Sequence, residues 1–508
     1  MNGRRAQVAR PSALAVAAVL SIAGSVTAAY GQTLAPRFET VPCEAANRGG
    51  IESRMTCGTV HVPRDHAKPD AGSFALTVTI LRSAEQPSAA DPVVWLSQWP
   101  PGHLMILLYT LEKVTKQQSM PFAAGRDFIL VDARGSGKSE PVLCPDLPRQ
   151  VKSWSLVEGD AQAAVQRRQA YLDCHDELIR QGIDLGNFGA AVTARDMDWV
   201  RRALGVERWN AYGLASGTPA ALALTALYPE TVRSLTLVSP TPPEPSRPRS
   251  TEFVAARDAL FATCAQDAAC ARDYPDLAGT YREVLKRFDD KPAMLDGRPI
   301  PVRPKDDGVR ITGAVVELAA YHLVRSPEKL RILPYIIAAT AEGDNDALAM
   351  ATMFASMTAN ILTADALATS VECHDRPRLR EALPAGASIL DRLDLYGICD
   401  SWSKPGRVPP MPESSSVPTL ILGAPPALAD QSMASREIAR RLGPAARLME
   451  VAGVDDDVRN NNRCVWKVAA EFIADPTKEP DASCAAGAQP LRFTPRAEGL
   501  RGSVRITP

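Results

Sequence analysis

The 508-residue sequence predicts an α/β fold: a mostly parallel, doubly wound sheet interrupted by an inserted helical cap. Two observations carry that expectation. Short apolar runs alternate with amphipathic stretches in two separated regions, the pattern of strands joined by crossover helices. Between the two regions, over about 241–415, helical periodicity dominates and Pro-rich segments stand at both ends.

The first core region spans roughly 36–240. Its strand candidates are FALTVTIL (74–81), PVVWLS (92–97), DFILVD (127–132), RWNAYG (208–213) and SLTLVS (234–239). ARDMDWVRRALG (194–205) and PAALALTALYP (219–229) are the amphipathic stretches between them. The cap opens with PTPPEPSRPR (240–249) and closes with KPGRVPPMPESSSVP (404–418). TGAVVELAAYHLV (312–324) and NDALAMATMFASMTANIL (345–362) are its clearest helices. The second core region, 416–484, holds strands in VPTLILG (417–423) and ARLMEVAG (446–453), with SREIARRLG (435–443) between them. CVWKVAAEFIAD (464–475) reads as the last helix, and 485–508 as an irregular tail.

Composition narrows the function classes. Hydrophobic residues make up 45% and the net charge is −1, with both signs mixed along the chain. That leaves no basic surface for nucleic acid and no polybasic membrane patch. Residues 1–29 read as a signal peptide. Arg4, Arg5 and Arg10 precede an apolar run, Ala13 to Val26, which ends in the small residues Thr27 to Ala29. An uncleaved anchor is the alternative, but the run is short for a membrane span. The expectation is a periplasmic or secreted protein with no stable membrane insertion after the signal is removed.

Ten cysteines fit an oxidising compartment. In chain order they form five locally spaced pairs: Cys43 and Cys57, Cys144 and Cys174, Cys264 and Cys270, Cys373 and Cys399, Cys464 and Cys484. Each bond would add about 2–4 kcal/mol, although sequence alone does not fix the connectivity. No C-x-x-C occurs, which argues against zinc, and no metal or cofactor is expected.

RGSGKS (134–139) imitates a phosphate-binding loop, but the first glycine of that motif would fall at Asp132. Asp132 and Arg134 are expected to form a salt-bridged structural loop instead. NAYGLASGTPAA (210–221) imitates the G-x-S-x-G turn that presents a catalytic serine. Gly213 and Gly217 flank Ala215, not Ser216. Small residues two before and two after let that turn close. For Ser216 those neighbours would be Leu214 and Thr218. One helical step rotates a side chain by about 100°, which aims Ser216 away from the presented direction.

In order, FILVDARGSGKS (128–139), TARDMDWVRRALGVERWNAYG (193–213), YPETVRSLTLVSPTPP (228–243), SVECHDRPRL (370–379), YGICDSW (396–402) and VPTLILGAPP (417–426) resemble the α/β-hydrolases of the proline iminopeptidase and tripeptidyl aminopeptidase group. The resemblance implies the α/β-hydrolase fold and a serine hydrolase ancestry. Such chemistry needs a serine, a histidine that takes its proton, an acid that orients the histidine, and backbone donors for the oxyanion. The chain order is serine, acid, histidine.

The resemblance places those slots at Ala215, Pro426 and Asp456. Asp430 could supply the acid only in a reshaped loop. No histidine follows His374, and a carboxylate with a pKa of about 4 is a weak base for a hydroxyl. In the oxyanion loop, WLSQWPPGHLM (95–105), Trp99 and Pro100 replace glycines, and prolines lack N–H donors. Asp375 matches the family's cap acid for a substrate's free amine. The expected cleft is therefore lined by Trp99, Leu214, Ser216 and Asp375.

Two readings follow. The first is an exported, catalytically inactive homologue that binds an unidentified peptide, protein or small-molecule ligand, or serves in assembly. The alternative is an aminopeptidase or esterase with a rearranged site that uses Ser216 with His103 or His374.

Overall fold

The computed structural model describes residues 34–43, 52–96, 122–151, 162–241, 249–295, 309–325, 329–363, 366–376, 387–395, 397–404, 406, 411–424, 429–451, 463–486 and 491–499. Two units are separable, Met1–Thr33 and Leu34–Pro508, and all described residues fall in the second. The signal-peptide expectation lies outside the described residues.

Nine strands form the main sheet: β1 Phe38–Val41, β2 Met55–Pro63, β3 Ser73–Leu81, β4 Ala89–Leu96, β5 Arg126–Val131, β6 Trp209–Leu214, β7 Val232–Val238, β10 Thr419–Gly423 and β11 Ala446–Glu450. Their spatial order is β1-β2-β3-β5-β4-β6-β7-β10-β11. From β5 to β11 every pair is parallel, whereas β1, β2, β3 and β5 pair antiparallel. A separate hairpin pairs β8 Ala293–Leu295 with β9 Val309–Ile311. Strands β5, β6 and β10 are buried along their whole length. Both of their faces are covered, which suits their mostly apolar sequences, RDFILV, WNAYGL and TLILG.

Helices cover both faces. Ala190–Ala203 (α2), Thr218–Leu227 (α3) and Ala429–Leu442 (α10) pack on one, while Arg463–Ala474 (α11) packs on the other. The amphipathic helix Ala163–Arg180 (α1) lies over a smaller apolar cluster with Tyr171 and Trp402. The cap contains Arg249–Gln266 (α4), Leu277–Asp290 (α5), Gly313–Val324 (α6), Leu333–Glu342 (α7), Asn345–Thr363 (α8) and Ala366–Asp375 (α9). Most of these share one core around Phe253, Tyr281, Phe288 and Leu323. Among the described residues no helix is long and apolar enough to cross a membrane.

All ten cysteines are paired, and each bonds its partner in chain order. Residues 491–499 contain no α-helix or strand, yet they are not a free tail: Leu491 and Phe493 pack against the cap core.

Candidate functional site

The sheet brings the carboxyl ends of β4, β5, β6, β7 and β10 to one edge. In open α/β sheets, that edge is where ligands bind. At its centre β6 ends at Leu214, a single 3₁₀ turn spans Ala215–Gly217, and α3 begins at Thr218. Ala215 has φ 45°, a left-handed backbone that is uncommon for a residue with a Cβ. Gly213 fits closely here, since a Cβ would lie 3.0 Å from Ala221 Cβ and 3.2 Å from Thr218 Cα and would press both neighbours outward.

The strained turn is clamped from outside. Thr218 Oγ1 donates to the Ala215 carbonyl at 2.6 Å, and Thr241 Oγ1 donates to it at 3.2 Å. The Thr241 N–H donates back to Thr218 Oγ1 at 3.0 Å. Beneath the turn, the Tyr212 ring stacks on Phe122 at 4.4 Å and on Trp95 at 5.1 Å. Burial pushes the Tyr212 phenol above its ordinary pKa. The strand-to-helix elbow is thus built and centred on Ala215, whose side chain is a methyl group. Ser216, half-buried in the next position, makes no side-chain hydrogen bond among the described residues.

The described histidines are committed elsewhere. His61 Nδ1 lies 3.4 Å from Ser73 Oγ, and His66 Nε2 lies 2.7 Å from Asp196 Oδ1. His175 meets Asp176, His322 meets Lys329, and His374 meets Asp375. None of them hydrogen-bonds Ser216. Trp99, His103, Pro426 and Asp456 lie outside the described residues. Asp430 falls in the first turn of α10.

Asp375 differs from its expected place as an open amine-binding acid. It is buried, with Oδ2 accepting from Ala190 N–H at 2.9 Å and Oδ1 2.7 Å from His374 Nδ1. It therefore caps the N-terminus of α2, whose preceding residue is Gly189, with no side chain of its own to do so. A Cβ at Gly189 would sit 2.6 Å from His374 Nδ1, so the close approach also needs that glycine. Burial raises the Asp375 pKa, against the lowering effect of His374 and the Ala190 N–H.

The salt-bridged loop needs a second correction. Arg134 pairs with Asp196, not with Asp132. Its Nε and Nη2 grip both Asp196 oxygens at 2.7 and 2.6 Å, and it donates to the carbonyls of Pro63, Arg64 and Asn187. Asp132 serves its own loop and accepts from the Lys138 N–H. A Cβ at Gly137, which has φ 54°, would strike that carboxylate, so the turn needs glycine there. Burial opposes ionisation of Asp196, but Arg134 and His66 hold its pKa below the usual range.

Sequence reading missed Thr218 and Thr241 as elbow residues. The only signal was their position, and the link joins residues 23 apart. Among the described residues, no group of three or more His, Cys, Asp or Glu could hold a metal ion.

The α/β hydrolase fold family matches residues 106–292. The tripeptidyl aminopeptidase of Streptomyces lividans is 30% identical over 190 residues, which is 36% of this chain and 35% of that protein. The chain therefore spans about a third of the length of that relative. Serine protease Hip1 of Mycobacterium tuberculosis is 25% identical over 324 residues, 60% of each chain. The proline iminopeptidase structure from Mycobacterium smegmatis aligns with TM-score 0.39 and 13% identity, covering 82% of this chain and 98% of that one. The chain has the α/β-hydrolase fold, and over part of its length it is similar to tripeptidyl aminopeptidases.

Proposed function

We propose that this chain is an exported, non-catalytic α/β-hydrolase that uses the cleft at its elbow to bind a peptide, a protein or a small molecule. One observation carries the reading: the strained elbow is kept and clamped, and the residue it presents is Ala215. A methyl group cannot attack a carbonyl or form an acyl-enzyme. The lack of any histidine after His374 supports the same reading, because the family's base comes last in the chain. Export is supported by five disulfides and by the Arg-flanked apolar leader.

The test is labelling of the purified protein with a fluorophosphonate probe, alongside amino-acid and acyl ester reporters. No labelling and no turnover above background are expected. Labelling that disappears in Ser216→Ala would overturn the proposal in favour of a hydrolase with a rearranged site. Among the described residues no histidine hydrogen-bonds Ser216, which leaves His103 as the base that the second reading needs.

A further inference from the structure

A cavity of about 310 Å³ lies between the sheet and the end of α2. Its floor is a cross-strand pair, Ile80 of β3 and Ile129 of β5, both buried. Two residues beyond Ile80 and two before Ile129 come Arg82 and Asp127, which the strand period sets on the same face. They close one end. Phe38 of β1 and Pro92 of β4 flank the floor in sheet order. Ala203, Leu204 and Val206, where α2 finishes, form the roof.

Local backbone features open this gap. β4 bulges here: Ala89 pairs with Arg126 and Val93 with Phe128, so four steps along β4 match two along β5. Pro92 sits in that bulge, where its missing N–H costs the ladder nothing. Bulges of this kind re-aim side chains beside binding sites. α2 stops at Ala203, and the chain turns away through Gly205 with φ 66°, so no further helical turn covers the floor. The Phe38 ring lies over Gly58, where a Cβ would be 2.4 Å from it.

The mouth presents positive charge. Arg82 Nη1 pairs with Asp127 Oδ2 at 2.7 Å, and Asp127 Oδ1 accepts from the Ser83 N–H at 2.9 Å. Both carboxylate oxygens are thereby occupied. The Arg82 side chain is 51% exposed against 13% for Asp127, so an incoming group meets the guanidinium first. Its Nε and Nη2 make no hydrogen bond among the described residues, which leaves one edge of the fork open. Arg54 Nη1 donates to the Arg82 carbonyl at 3.0 Å and brings a second guanidinium to this rim. Glu85, three residues past Arg82, turns to Gly125, where a Cβ would be 2.7 Å from its Oε2.

We propose that this cavity binds a small carboxylate with an apolar body, its head group on the open edge of Arg82 and its tail along Ile80, Ile129 and Val206. Guanidinium and carboxylate match in two-point geometry, which would orient the molecule. The volume falls at the lower end of ligand pockets, about 300–1,000 Å³. At about 30 Å³ for a water-sized group, it has room for roughly ten. The site stands whether or not the elbow binds anything. Asp127 is near the start of β5, whereas the elbow follows the end of β6, at the other end of the parallel strands.

The test titrates the full chain with octanoate by calorimetry, with octanol and octylamine as neutral and cationic comparisons. Saturable octanoate binding with Kd below about 1 mM is expected, and the two comparisons should bind about tenfold more weakly or worse. Ala203→Phe fills the cavity from its roof and should weaken octanoate by about tenfold or more. Arg82→Gln should weaken octanoate about tenfold and leave octanol unchanged. If Ala203→Phe does not fold, Val206→Phe carries the same expectation. Octanoate that does not saturate would overturn the proposal. So would binding within about twofold of the original in the folded cavity-filling variant, because the molecule would then sit elsewhere. Octanol binding as tightly as octanoate would overturn it too, since Arg82 would then be idle.

Discussion

Two turns leave the sheet at its carboxyl edge, and the chain treats them differently. In the loop after β5, the polar side chains of Asp132, Arg134, Ser136 and Ser139 are all spent on hydrogen bonds. In the elbow after β6, the backbone is equally well held, but the side chains at its tip make no hydrogen bond among the described residues, and Ala215 packs on the apolar cluster below. Ala215 offers a methyl, and the Ser216 hydroxyl is unbonded among the described residues. In the first turn the side chains build the architecture; in the second the backbone carries it. The contrast is what the proposed non-catalytic role rests on.

The largest test of that contrast is at Arg134. It is 2% exposed and bridges β2, the following loop and α2 through Asp196 and three carbonyls. Arg134→Ala leaves a buried carboxylate and several carbonyls without their donor. A loss of about 3–5 kcal/mol is expected in denaturant unfolding. Arg134→Lys should recover little, since one ammonium cannot replace the two-point grip. The pH dependence has a defined sign. The folded pKa of Asp196 is depressed, so its contribution is fully present above the unfolded value of about 4. It is lost as pH falls through the lower folded value, and Arg134→Ala should flatten that acid limb.

Next in size is the clamp on the elbow itself. Thr218→Val keeps the shape but removes one donor to the Ala215 carbonyl and the acceptor for the Thr241 N–H. About 1–2 kcal/mol should be lost. An effect below a few tenths would mean that the elbow is held by the sheet alone.

How much of this was legible follows from the range of each contact. The buried strands β5, β6 and β10 announce themselves as apolar runs, because the parallel sheet covers both faces. β1 is short and mostly exposed, and β2 mixes Thr and His into its alternation, so neither stood out. The sharp turn after β6 was readable because Gly213 and Gly217 are local markers. The roles of Arg134 and Asp375 were not, since their partners lie 62 and 185 residues away. Tertiary pairing decides whether a carboxylate waits for a ligand or caps a helix, and spacing carries no trace of that choice.

The smallest effects bear most directly on the elbow's history. Ser216→Ala should change stability by less than about 0.5 kcal/mol, as expected for a side chain with no hydrogen bond among the described residues. Ala215→Gly sets two terms against each other. Glycine relieves the left-handed φ of 45°, a strain worth roughly 1–2 kcal/mol. It also makes the unfolded chain more flexible, which costs about 0.4–1 kcal/mol. The balance should favour glycine slightly, with a gain of about 0.5 kcal/mol seen as a small rise in Tm. A fall in Tm would show that the packing of the Ala215 methyl on the apolar cluster beneath it outweighs the relieved strain.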